Sequence, residues 1–143
     1  MKGLIQSVEI SYLIHSTEDQ AKVNAAITEL IASSADPEVE EMDGHHGNKI
    51  LRVRVHLTGE EASKAFGRIS ERLGDSLRKE LMGEIGAHLD EHSAFFLRLD
   101  KQSLVSGSPS LGSSDPVRVK VKPRQFLIRG GAAEFYSKLI GGD

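Results

Sequence analysis

The sequence contains no cysteine and no tryptophan. Without cysteine, a disulfide framework, a thiolate zinc site, an iron–sulfur cluster and a cysteine nucleophile are all excluded. No stretch approaches the roughly 20 apolar residues that a membrane-spanning helix needs, and the first residues lack the apolar core of a signal peptide. We therefore expect a cytoplasmic protein with no membrane partner.

The remaining composition is that of an ordinary folded domain. Hydrophobic residues make up 38% and charged residues 27% of the 143 positions, which is typical of globular chains. A chain of this length buries about 68–70% of its unfolded surface, enough for a packed core. We expect one domain over residues 1–143.

Charge is distributed unevenly along the chain. The net charge is −3, but residues 1–93 carry −7, residues 94–130 carry +5 and residues 131–143 carry −1. Segregation of this kind is typical of proteins with a charged partner. The basic segment therefore indicates where an anionic partner would bind.

Four segments alternate apolar and polar side chains with the period of two that favours strands buried on one face. They are residues 8–15, 51–57, 95–99 and 117–122. Residues 38–42 form a weaker acidic strand, and a tight loop with two glycines joins it to the next strand.

Apolar residues at helical spacing lie between these strands. Thr17 with Gln20, and Thr58 with Glu61, form capping boxes that predict helix starts. Gly74 ends the second helix and separates it from a third.

The order of the elements predicts an α+β fold. We expect a two-layer sandwich in which a mostly antiparallel sheet carries helices on one face. Residues 101–116 contain six Ser, two Gly and two Pro, so we expect a long polar loop there.

If the strands are neighbours, their polar alternates share the open face, and most of these are basic. Like charges opposite each other across strands are destabilising, so such a face indicates an anionic partner. Lys and Arg on one rigid surface suit phosphates, although an ordinary solvated strand face is the alternative. Phe96 shares the parity of Arg98 and would either stack on a base or lie under the long loop.

Two adjacent histidines, His45 and His46, lie in a glycine loop and raise the question of a metal site. Adjacent histidines point apart in an extended chain, and the sequence has no histidine pair at helical ligand spacing. It also has no Walker, Gly-x-Ser-x-Gly or dinucleotide motif. We expect no bound metal, no cofactor and no catalytic residue.

Three strings, taken in order, resemble an archaeal RNA-binding protein family described as predicted exosome subunits. The strings are Ile-His-Ser-Thr-Glu-Asp at 14–19, Gly-His-His-Gly-Asn at 44–48, and Phe-Phe-Leu-Arg-Leu-Asp-Lys-Gln at 95–102. The resemblance implies a domain similar to the 5S-RNA-binding ribosomal protein, with RNA as its partner and no established enzymatic activity.

Together these observations predict an RNA-binding protein, not an enzyme, that acts as an accessory factor in archaeal RNA processing or degradation. Exosome subunits or other RNA-processing proteins are its expected protein partners. The residues expected to contact phosphate are Arg52, Arg54, Arg98, Lys101, Arg118, Lys120 and Lys122. The residues expected to contact bases or sugars are His45, His46 and Asn48.

Two alternatives belong to other functional classes. The first is a small metal-assisted phosphoesterase that uses the His45 and His46 loop together with nearby carboxylates. The second is a protein–protein adaptor whose basic face meets an acidic partner.

Overall fold

The computed structural model describes residues 3–31, 36–44, 47–124 and 131–141. The strands are β1 (Ile5–His15), β2 (Glu38–Asp43), β3 (Lys49–Thr58), β4 (Phe95–Leu99) and β5 (Val117–Pro123). The helices are α1 (Gln20–Ile31), α2 (Gly59–Gly83), α3 (Lys101–Ser106) and α4 (Gly131–Gly141), with a 3₁₀ helix at Ile85–His88.

The strands form one antiparallel sheet in the order β2-β3-β1-β5-β4. The longest strand, β1, therefore lies in the middle, between two strands that come much later in the chain. The predicted α+β class with an antiparallel sheet is confirmed.

The period of two in β1 gives the sheet two different faces. Val8, Ile10 and Tyr12 are at most 5% exposed, whereas Glu9 and Ser11 on the other face are half-buried. The buried alternates pack with apolar residues of α1, α2 and α4 in one core, where each fully buried aliphatic or Phe side chain contributes about 1.5–3 kcal/mol. The helices therefore cover one face and leave the other open.

The helix starts differ in detail from the predicted capping boxes. At α1 the backbone N–H of Lys22 donates to Asp19 Oδ1 at 3.1 Å, so Asp19 caps the helix and Thr17 does not. Thr58 precedes α2 as predicted, but its side chain makes no capping hydrogen bond. Gly74 has φ 80° and ψ 165° inside α2, so the predicted break is a kink between two helical segments.

The expected long loop after β4 is wrong in its first half, which forms α3. Asp100 Oδ2 accepts hydrogen bonds from the Ser103 backbone N–H at 2.9 Å and from the Ser103 hydroxyl at 2.8 Å. These two bonds lower the pKa of the Asp100 carboxyl, the backbone one most. Gly107 ends the helix at φ 91°, a left-handed conformation that favours glycine.

The second half of that segment is attached to the edge of the sheet. Leu111 forms a β-bridge with Leu99, and the Gly112 N–H donates to the Arg98 carbonyl at 3.1 Å. A Cβ on Gly112 would lie 2.9 Å from Asp100 Cα, so this close approach requires glycine. The segment therefore pairs with the edge of β4 that faces away from β5, and it reaches the rim of the open face.

Candidate nucleic-acid interface

The register of the sheet brings most of the predicted basic residues onto the open face. Two rows cross β3, β1, β5 and β4, and one residue of each strand separates them. The first row is Arg54, Ser11, Arg118 and Arg98. The second row is His56, Glu9, Lys120 and Phe96.

The two remaining basic strand residues flank these rows on the same face. Arg52 lies opposite Leu13, and Lys122 lies opposite Ser7. Six of the seven residues predicted to contact phosphate therefore share one surface, which we call the basic face: Arg52, Arg54, Arg98, Arg118, Lys120 and Lys122.

Most cations of the basic face have no carboxylate partner. Within the described ranges, no carboxylate oxygen lies within 4.0 Å of Arg54, Arg98, Arg118, Lys120 or Lys122. By contrast, Arg52 lies 3.9 Å from Glu40 and His56 lies 3.7 Å from Glu9. The first row therefore holds three uncompensated arginines, and two uncompensated lysines follow Arg118 along β5.

A groove of about 420 Å³ opens over the β3, β1 and β5 members of this row. Arg52, Arg54 and Arg118 line it, and Ser11 lies between the last two in the register. Ser113, Asp115 and Pro116 also line it and form one wall. Guanidinium groups with a hydroxyl between them form a donor set that suits a phosphate.

The acidic strand β2 borders the basic face. Glu38 lies opposite Arg54 and Glu40 lies opposite Arg52 in the β2–β3 register, and both glutamates are exposed. The positive surface therefore ends at β3. Sequence reasoning recognised the acidic strand and the tight loop that joins it to β3, but missed this border, because it did not work out which residues of the two strands lie opposite each other.

Phe96 lies at the other side of the basic face, on the edge strand β4. Its ring is half-buried, and the Lys120 ammonium lies 5.4 Å from the ring centroid. A second cavity of about 240 Å³ is lined by Phe96, Arg98, His88 and Leu111 among others. The long segment thus borders the ring without enclosing it.

Lys101 does not have the role predicted for it. Its side chain is 5% exposed, and Nζ donates to the Leu13 carbonyl at 2.7 Å, to Glu18 Oε1 at 3.0 Å and to Asp115 Oδ2 at 2.7 Å. With three partners and almost no exposure, this ammonium is not available to a phosphate. Lys101 directly follows the helix cap Asp100, and from this position its side chain points into the interior of the protein.

The Lys101 cluster joins two of the strings on which the resemblance rests. His15 Nε2 lies 3.0 Å from Asp115 Oδ2, and the His15 backbone N–H donates to Glu18 Oε1 at 2.8 Å. His15, Glu18 and Asp115 could together hold a cation, but the Lys101 ammonium already lies among the two carboxylates. The cluster attaches the segment around Asp115 to β1 and so fixes the wall of the groove.

The predicted contacts in the glycine loop are only partly described. His45 and His46 lie outside the described residues. Asn48 is exposed, and its carbonyl accepts a hydrogen bond from the Gly44 N–H at 2.5 Å. Gly44 and Asn48 lie near the start of β3, next to His15, which pairs with Ile50, and therefore beyond the rows of the basic face.

Sequence comparison finds a matching family and two relatives. A family model described as RNA binding matches residues 7–123. The RNA-binding protein PAB1135 of Pyrococcus abyssi is 30% identical over 141 residues, covering 90% of each chain. The uncharacterized protein MJ0213 of Methanocaldococcus jannaschii is 30% identical over 125 residues, covering 80% of each.

A solved structure shows the same fold. The crystal structure of protein AF2318 from Archaeoglobus fulgidus superposes with a TM-score of 0.77 at 32% identity, covering 94% of this chain and 99% of that one.

In the part of the chain that the structure describes, none of the helices combines the length and the hydrophobicity of a membrane span.

Proposed function

The chain belongs to the RNA-binding family whose model matches residues 7–123, and from this premise we propose that it binds RNA through the basic face. The phosphate contacts would come from the six basic residues that the sheet brings together there. Asn48 and the two neighbouring histidines would reach bases or sugars from the end of the sheet.

One observation carries this proposal: Arg54, Arg118 and Arg98 share a row and lack carboxylate partners among the described residues. An ordinary solvated face pairs opposite charges, as Arg52 and Glu40 do nearby. Like charges held together in a rigid sheet raise the free energy of the free protein. A bound polyanion offsets this repulsion and releases counterions.

The cellular role that we propose is an accessory factor in RNA processing or degradation, linked to the exosome and located in the cytoplasm. The resemblance of the three strings supports this cellular role. The basic face supports RNA binding but gives no information about the cellular role. Size-exclusion chromatography of the chain with purified exosome core, with and without RNA, tests the link. Separate elution under both conditions would contradict it.

The proposed RNA contact is tested by fluorescence anisotropy of a labelled RNA at several salt concentrations. With four or five phosphates neutralised on a single strand, the slope of log affinity against log salt is about −3. Replacing Arg54, Arg98 and Arg118 by Ala should make the slope less negative by about 2 and weaken every RNA sequence alike.

The matched control removes the same charge from the helix layer. Lys64, Arg68 and Lys79 are exposed on α2, and their triple replacement by Ala should leave affinity and slope close to those of the unmodified protein. RNA binding that is absent at low salt, or equally affected by both triple variants, contradicts the proposal. Hydrolysis of a small phosphodiester that His46→Ala abolishes would instead favour the phosphoesterase.

A further inference from the structure

We infer that the basic face takes single-stranded RNA, which crosses the strands along the Arg54–Arg98 row and stacks one base on Phe96. The inference rests on the proposed function and adds the kind of RNA and the direction in which it runs. Three independent features of the face support it: the length of its arginine row, its acidic border and its aromatic ring.

The first feature is the short length of the arginine row. Neighbouring strands are about 4.8 Å apart, so three strand steps from Arg54 to Arg98 span roughly 14 Å. This length suits two or three nucleotides of an extended strand, and Arg52, Lys120 and Lys122 beside the row would contact the phosphates next to them. Domains that read duplex RNA instead contact two minor grooves over about 16 base pairs, which is far more than this row offers.

The second feature is the carboxylates at one end of the arginine row and on one side of it. Glu38 and Glu40 lie on β2 opposite Arg54 and Arg52, and Glu9 lies in the second row between His56 and Lys120. A duplex brings a second phosphate backbone close to the first, and that backbone would face these carboxylates. A single strand confined to the row avoids them.

The third feature is Phe96, which lies at the β4 end of the second row, two residues before Arg98. Its ring faces the Lys120 ammonium at 5.4 Å. Lys120 is half-buried but has no carboxylate partner among the described residues, and stacking of a base on the ring outweighs a single cation–π contact at the surface. The displaced ammonium then becomes available to the phosphate next to the stacked base.

The test compares an unstructured ten-nucleotide RNA with a 16-base-pair RNA duplex, both labelled, at one salt concentration. The single strand should bind more tightly. Phe96→Leu should weaken its binding about tenfold, in the lower part of the range for the loss of one base stack. The same variant should not change binding of an abasic strand of equal length, and Phe96→Tyr, which keeps the ring, should restore binding.

Phe135→Leu is the matched control, because Phe135 is a half-buried ring on α4 in the helix layer, and it should leave both affinities unchanged. Equal or tighter binding of the duplex, or single-strand binding that Phe96→Leu leaves intact, overturns the inference while the proposed function stands. Failure of both RNAs to bind at low salt overturns the proposed function itself. A folded Phe96→Tyr variant that binds as weakly as Phe96→Leu also contradicts the stacking.

Discussion

Arg98 and Arg118 lie directly opposite each other on β4 and β5, and among the described residues neither has a carboxylate within 4.0 Å. Cross-strand like charges destabilise a sheet by a few tenths to about 1 kcal/mol. The pair therefore lowers the stability of the free protein, and an anion bound there would offset this loss.

Arg118→Ala should leave stability unchanged or raise it by up to about 1 kcal/mol, because removal of one guanidinium relieves the repulsion from Arg98. Urea unfolding followed by circular dichroism measures this. Arg72→Ala is the control, since Arg72 donates to Glu29 Oε1 at 3.0 Å and its loss should cost a few tenths of a kcal/mol. A loss larger than 1 kcal/mol in Arg118→Ala would show that this arginine has a structural role.

Lys101→Met should destabilise the protein by about 3 kcal/mol, the low end for breaking a buried ion pair, because Asp115 keeps some solvent contact. Methionine fills the space but leaves Glu18 and Asp115 without the ammonium. RNA affinity should fall as well, since the Asp115 segment lines the groove. Lys64→Met, at an exposed position, should change neither property, and comparable melting curves for the two variants would contradict the structural role of the cluster.

Gly112→Ala should cost about 1–3 kcal/mol, the usual range for overpacking, because the added methyl would lie 2.9 Å from Asp100 Cα. Gly83→Ala, near the end of α2, meets nothing within 4 Å and should be neutral or stabilising by up to about 1 kcal/mol. Chemical unfolding of both variants measures these changes in the free energy of unfolding. If Gly112→Ala is as stable as the unmodified protein, the segment around Leu111 is not held against β4.

Tyr12 should make stability depend on pH in the alkaline range. Burial raises the pKa of the Tyr12 hydroxyl to about 12, and this group donates to Asn24 Oδ1 at 2.6 Å. Above pH ~10 the unfolded chain loses the proton while the folded protein keeps it, so stability falls from pH ~10 towards pH ~12.

The size of this loss approaches about 2.7 kcal/mol for two pH units. Tyr136 contributes in the same direction, because burial also raises its pKa. The difference between the unmodified protein and Tyr12→Phe, measured by urea unfolding at pH 8 and pH 11, isolates the share of Tyr12. A difference that stays constant between these pH values would contradict the prediction.

The sequence alone predicts the strands and the orientation of their side chains. Because successive side chains point to opposite faces of a strand, the parity of Arg52, Arg54, Arg118 and Lys120 places them together as soon as their strands pair. Asp100 and Gly107 are residue types that commonly cap a helix, so the sequence holds a local signal for α3. The prediction missed it because residues 101–116 are rich in Ser, Gly and Pro, which favour a loop.

Only the tertiary structure decides which strands are neighbours and what each charge contacts. Strand order depends on contacts between residues far apart in the chain, so no local pattern indicates that Ser11 lies beside Arg118 or that Arg98 faces Arg118. Lys101 shows the same limit most clearly. Its charge suggested a phosphate contact, yet Leu13, Glu18 and Asp115 meet it in the interior, because a buried ammonium is stable only where the fold brings such partners to it.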